Sequence, residues 1–175
     1  HKHGEQKVAG VFKTRDFELN AHDGKEVKLS DYAGKKIVVL EWFNHKCPFV
    51  VPHYKAGTMA RLAEKYKDKD VVWFAVNSTN TVDPKNNKKW AKQYDLPYAI
   101  LDDSNGKVGK KFDATNTPQI FIIDKKGNIA YEGAVDNAPR GKVKGEKYVN
   151  YVDRALTQLT SGKEVETSKT RPYGC

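Results

Sequence analysis

The chain is nearly without cysteine. Of its 175 residues only Cys47, in the first third, and Cys175, the last, carry a thiol. Two thiols are too few for a disulfide-stapled scaffold or a four-cysteine zinc site, which leaves catalytic, redox or incidental use. Long hydrophobic runs are missing as well. The richest stretch, Lys36 to Phe43, is broken by Glu41, and nothing approaches the roughly 18 apolar residues of a membrane span, so a soluble protein without membrane insertion is expected. The sequence begins at His1 rather than Met and shows no basic-then-apolar leader. Removal of a signal segment and trimming of the chain both fit, so periplasmic and cytoplasmic locations stay open; His1 and His3 are assigned no role. Lys plus Arg outnumber Asp plus Glu by 31 to 22, a net charge of +9, but the excess is scattered through pairs such as Lys35-Lys36, Lys88-Lys89 and Lys110-Lys111. The absence of a basic stripe or an aromatic-interleaved basic groove argues against nucleic-acid binding and leaves attraction to acidic partners. Repeats and low-complexity segments are also absent, and nothing sets an oligomeric state.

What is present fills a core. A hydrophobic content of 38%, with three Trp, nine Tyr and seven Phe, suits one domain spanning residues 1–175. Phe17, Leu19, Val27 and Leu29 alternate with polar residues on either side of Asp23-Gly24, which predicts a β-hairpin. Lys36 to Phe43 and Val71 to Asn77 are nearly unbroken apolar runs, as strands covered on both faces require. Tyr98 to Leu101 predicts a further short strand. Ile120 to Asp124 and Ile129 to Glu132 flank Lys125-Lys126-Gly127-Asn128 and predict a second hairpin. Helices are expected from Pro48 to Lys67, with a kink at Pro52, from Asp83-Pro84 through Tyr94, and from Tyr148 to Leu159, where Val149, Val152, Ala155, Leu156 and Leu159 form a stripe. From about residue 161 the tail is polar and is expected to be flexible and extended. The order hairpin, β, α, β, α, β, hairpin, α implies an α/β fold with a central mixed sheet flanked by helices on both faces.

Cys47 sits where the first long strand should turn into a helix. Pro48 has no amide hydrogen to lose at a first helical position, which would put Cys47 at the N-cap. A sulfur there faces unpaired amides and the positive end of the helix dipole, and Lys46, His45 and His53 add positive potential. Such surroundings lower a thiol pKa from about 8.5 toward roughly 3.5 to 7.5. A free cysteine is also often just a small core residue, but a polar Asn44-His45-Lys46 loop is an odd place for one.

The strand-to-helix Cys47, the later Thr117-Pro118 before Ile120-Phe121-Ile122-Ile123-Asp124, and the Lys126-Gly127-Asn128 turn resemble the thioredoxin superfamily. The likeness is to its redoxin branch, the alkyl-hydroperoxide-reductase and thiol-specific-antioxidant group, over roughly residues 8 to 160. The resemblance implies a thioredoxin-like fold, a cis proline at Pro118 beside the active cysteine, and peroxiredoxin-like antioxidant chemistry. Two departures limit it. Thioredoxins carry a second cysteine three residues after the first, where this chain has Val50. Peroxiredoxins carry Thr three residues before the cysteine and Arg just ahead of the later apolar strand, where this chain has Asn44 and Thr117-Pro118.

The expected activity is therefore that of a thiol-dependent oxidoreductase with Cys47 as nucleophile. Hydroperoxide reduction comes first and protein-disulfide exchange second, with an external thiol as reductant. Cys175 is the candidate resolving residue, condensing with an oxidised Cys47 to a disulfide, against the alternative of an incidental tail thiol. Asn44, His45 and Lys46 would tune charge, Pro48, Thr117 and Pro118 would shape the substrate groove, and Trp42 with Phe43 would wall it against water. No cofactor is implied, because the sulfur itself changes oxidation state. His45, Cys47 and His53 make a weak copper or zinc set, and no metal is assigned. The rival class is a non-enzymatic module that binds a protein or a copper ion.

Overall fold

In the computed structural model, which describes residues 8–79, 85–143, 145 and 147–175, the two long apolar runs lie side by side in the middle of a sheet. A short helix α1 (Val11–Thr14) precedes an antiparallel hairpin of β1 (Glu18–Asn20) and β2 (Glu26–Lys28), closed at Asp23-Gly24 as predicted. Then follow β3 (Ile37–Trp42), α2 (Val51–Ala56), α3 (Thr58–Tyr66), β4 (Val71–Asn77), α4 (Lys85–Gln93), β5 (Ala99–Asp102), α5 (Lys107–Lys111), β6 (Gln119–Ile123), β7 (Ile129–Gly133) and α6 (Tyr151–Thr160). The five-stranded sheet runs β5-β4-β3-β6-β7. β3, β4 and β5 are parallel, joined through helices, and β6 and β7 are antiparallel, joined through the Gly127 turn.

Because side chains alternate across a strand, β3 feeds two separate cores. Ile37, Val39 and Phe43 pack with residues of α2, α3, α4 and α6. Val38, Leu40 and Trp42 pack on the opposite face with α1, the hairpin and α5. No described helix is long and apolar enough to cross a membrane.

Several boundaries move for physical reasons. The helix expected from Pro48 to Lys67 is two helices that start later. Pro48 stays in a turn, while Pro52 occupies the first turn of α2, where a missing amide hydrogen costs nothing, and so produces no kink. The break comes instead at Gly57, whose φ of 72° ends α2 in the left-handed region. α6 begins after Asn150 rather than at Tyr148, because the Asn150 side chain accepts the Asp153 amide at 2.9 Å and caps the helix. The start expected for α4, at Asp83-Pro84, lies outside the described residues. α5 escapes the hydrophobic pattern. It is held from outside by the buried Asp103 carboxylate, which accepts the Val108 and Gly109 amides at 3.1 and 2.9 Å.

The polar tail runs back along the sheet. β7 is an edge strand with unpaired backbone groups, and the tail covers them. The Glu132 amide donates to Ser168 O at 3.0 Å, the Thr170 amide donates back to Glu132 O at 3.0 Å, and the Ala134 amide reaches Thr170 Oγ1 at 2.9 Å.

Candidate active site

Leaving the sheet after Trp42, the chain makes one more sheet bond, from the Phe43 amide to Val76 O at 2.9 Å, and then turns. Asn44 builds the turn. Its side-chain oxygen accepts the Lys46 amide at 3.0 Å and its carbonyl accepts the Cys47 amide at 3.0 Å. The Cys47 carbonyl then accepts the Val50 and Val51 amides at 2.9 and 3.0 Å, so Cys47 opens a helical turn although Val50, not Cys47, is the N-cap of α2. Cys47 is only 2% exposed and packs in the cluster that holds Phe43, Val50 and Tyr54.

β6 runs antiparallel to β3 with Gln119 opposite Trp42, which brings the segment just before β6 to the same end of the sheet as Cys47. The Thr117-Pro118 bond there is cis. The Thr117 carbonyl oxygen lies 3.2 Å from Cys47 Sγ. The last contributor is the tail, where Cys175 forms a disulfide with Cys47 across a Cα–Cα distance of 6.1 Å. Two backbone bonds seat it, from the Thr117 amide to Cys175 O at 3.2 Å and from the Cys175 amide to Thr117 O at 3.1 Å. Gly174, with φ of 132°, makes this approach possible, because a Cβ there would collide with the Thr117 carbonyl.

The other expected residues divide. His45 lies on the Trp90 ring, with centroids 3.4 Å apart, and its buried Nδ1 has no partner. Burial, followed by Lys46 and Lys89, pushes its pKa down. The Thr117 hydroxyl is likewise buried without a partner. Pro48 and Lys46 are exposed beside the turn. Phe43 shares the Cys47 cluster, but Trp42 faces the other core, against Phe112 and Phe121, with Nε1 donating to Ser78 Oγ at 3.0 Å. Adjacent strand residues point to opposite faces, so only one of the two aromatics adjoins the cysteine. Among the described residues no three His, Cys, Asp or Glu side chains gather as a metal site requires.

Two groups were missed. Glu41 is completely buried on the Cys47 side of β3. It accepts the Tyr54 hydroxyl at 2.5 Å, the Trp73 indole at 3.0 Å and the Tyr98 hydroxyl at 3.3 Å. Burial pushes its pKa up to about 7, with the three donors pulling the other way. The charge inside an otherwise apolar strand was its signal. The second group is Tyr173, whose ring packs against Phe49 at 5.9 Å. Its hydroxyl donates to Asp136 Oδ1 at 2.6 Å and lies 3.0 Å from His53 Nε2.

The family model described as AhpC/TSA matches residues 13–132, which include β3, the cysteine turn and the cis-proline segment. The chain belongs to the AhpC/TSA family. It is a thiol oxidoreductase of the thioredoxin-like type. Among relatives of this AhpC/TSA protein, the thiol-disulfide oxidoreductase ResA of Bacillus thuringiensis subsp. konkukian (strain 97-27) is 28% identical over 148 residues, covering 83% of this chain and 75% of that protein. The chloroplastic peroxiredoxin Q of Triticum aestivum is 29% identical over 123 residues, 66% of this chain and 54% of that one. A hypothetical protein from Sinorhizobium meliloti 1021 shares the fold with a TM-score of 0.82 at 23% identity, over 98% of this chain and 94% of the other.

Proposed function

We propose that this AhpC/TSA protein is a thiol-disulfide oxidoreductase whose working pair is Cys47 and Cys175. The observation that carries the reading is the seating of Cys175 on Cys47 by paired backbone bonds to Thr117. In the reduced protein the Cys47 thiolate attacks one sulfur of a substrate disulfide, forming a mixed disulfide and releasing one substrate thiolate, which takes up a proton. The Cys175 thiolate then attacks Cys47 Sγ, releasing the second substrate thiol and leaving the Cys47–Cys175 disulfide. An external dithiol reverses this by two exchanges and leaves as a disulfide. Cys175 thus does, from the end of the chain, what a second cysteine three residues after the first would do locally. Asn44 shapes the turn, Pro48 and Pro118 bound the approach, and His45 and Lys46 supply polarity beside it.

Hydroperoxide reduction is a second reading, favoured by the peroxiredoxin Q relative. The thiolate attacks the peroxide O–O bond, giving a Cys47 sulfenic acid and an alcohol, and the Cys175 thiol condenses with it to the same disulfide and water. The absence of Thr three residues before Cys47, where Asn44 stands, argues against making this the principal activity.

One experiment separates the two. The pre-reduced protein is mixed with a disulfide-bonded peptide or with a hydroperoxide, and product thiol or peroxide loss is followed. Wild type is expected to reduce the peptide, Cys47→Ser to be inactive, and Cys175→Ser to stop as a mixed disulfide with Cys47 detectable by mass spectrometry. Peptide reduction by Cys47→Ser at the wild-type rate would remove the proposal. Loss of peroxide without peptide turnover would select the second reading.

A further inference from the structure

Only Gly174 separates Tyr173 from the cysteine that closes the redox pair, and the Tyr173 side chain is held by two hydrogen bonds and a ring contact. Its hydroxyl donates to Asp136 Oδ1 at 2.6 Å and, with that hydrogen committed, accepts from His53 Nε2 at 3.0 Å. The two anchors come from different parts of the fold. His53 is on α2, the helix that continues the Cys47 turn, and Asp136 follows β7. Asp136 does not depend on the tail for its position. The carboxylate is 3% exposed and is also fixed by the Ala138 amide on Oδ1 and the Tyr148 hydroxyl on Oδ2, both at 3.0 Å. Burial, and then the bond to Asp136, hold the Tyr173 phenol protonated and therefore able to donate. The ring lies on Phe49, which is itself covered by the Arg140 guanidinium at 4.8 Å.

From this arrangement, and resting on the reading of Cys47 and Cys175 as a redox pair, we propose that Tyr173 is a positioning residue for disulfide closure. Its hydroxyl, caught between His53 and Asp136, sets the place on the Cys47 turn to which Cys175 returns. The chain on the far side of the clamp is a single glycine. Glycine has the widest conformational range of any residue, so with Tyr173 released the Cys175 thiol would sample many positions away from Cys47. With Tyr173 seated, the paired bonds to Thr117 complete the alignment, and the local concentration of Cys175 at Cys47 is high.

The test measures the closure equilibrium in glutathione buffers, where two protein thiols and one glutathione disulfide give the protein disulfide and two glutathione thiols. Tyr173→Phe keeps the ring on Phe49 and deletes both hydrogen bonds. Its equilibrium constant for closure is expected to fall roughly 10- to 100-fold, because one of the lost bonds is to a buried carboxylate. Asp136→Asn, which keeps an acceptor oxygen but loses the charge, should lie between the two. In a Cys47→Ser/Cys175→Ser background, Tyr173→Phe should unfold at nearly the same urea concentration as its parent.

A Tyr173→Phe constant within twofold of wild type overturns the positioning role alone. So does a loss of stability in the cysteine-free background as large as the loss in closure, which would mean general packing. Failure of wild type to form the Cys47–Cys175 link at any glutathione ratio overturns the redox pair and the positioning role together.

Discussion

Replacing Cys175 by Ser is expected to lower the free energy of unfolding by about 2 to 5 kcal/mol, and reduction of the wild-type protein by a similar amount. The bond joins residues 128 positions apart, so it closes most of the chain beyond residue 46 into one loop. The entropy lost by the unfolded chain on closing a loop of this length sets the upper figure, about 5 kcal/mol, and residual structure in the unfolded chain brings the effect toward the lower. The destabilisation should be felt unevenly. With the disulfide open, the tail keeps only its bonds to Glu132 and Ala134 while the segment that carries Tyr173 and Cys175 comes off the Cys47 turn, so the edge of β7 should exchange its amide hydrogens faster than the central strand β3. Urea unfolding with and without reductant checks the first effect and hydrogen exchange the second. Coincident unfolding curves for oxidised wild type, reduced wild type and Cys175→Ser would contradict it.

The second large effect belongs to Glu41. Its pKa is about 7 in the folded protein against a usual value of 4.5, because burial disfavours the charge. Below pH 4.5 the carboxyl is protonated in both the folded and unfolded chain and the full stability is present. Between about 4.5 and 7 the unfolded chain gives up the proton while the folded chain keeps it, so stability falls as pH rises. Above about 7 both forms are ionised and the deficit has reached its limit, on the order of 3 kcal/mol. Glu41→Gln should remove this slope. The amide oxygen can still accept from the Trp73 indole and the Tyr98 hydroxyl, and Tyr54 can turn its hydroxyl to accept from the new amide, since it also lies 2.9 Å from the Tyr98 hydroxyl. Unfolding free energies at pH 5 and pH 8 should therefore differ more for wild type than for Glu41→Gln. Parallel pH profiles for the two proteins would show that the slope has another origin.

How legible the molecule is in its sequence depends on the range over which each feature is determined. β3, β4 and β6 are short apolar runs rich in β-branched residues, which favours strands of a covered sheet, and Asp23-Gly24 is a local turn signal. Both are readable because their causes lie within a few residues. The start of α2 is not, because Pro48 and Pro52 are both acceptable first-turn residues and only the packed structure chooses between them. Trp42 and Phe43 are both large aromatics ahead of the cysteine, yet strand alternation alone dictates that they face different cores.

At the site, Cys47 stands out as a cysteine between a strand and a helix, and Pro118 only through the family resemblance that the Thr-Pro pair before a strand helps to carry. Cys175 is visible only as a thiol, since a chain end has no periodicity to say where it docks. Its seat depends on the backbone of Thr117, which no side-chain pattern reports. Glu41 announces itself as a charge in an apolar run, but its partners Tyr54, Trp73 and Tyr98 come from separate elements. Tyr173, His53 and Asp136 are spread over 120 positions and meet only after folding.

Differential alkylation with peptide mass mapping across a series of glutathione potentials tests the pairing of the two cysteines most directly. Cys47 and Cys175 should lose their free thiols together, along one two-electron curve, and reappear as a single linked peptide pair. Oxidation of Cys47 while Cys175 remains fully alkylatable would contradict the account.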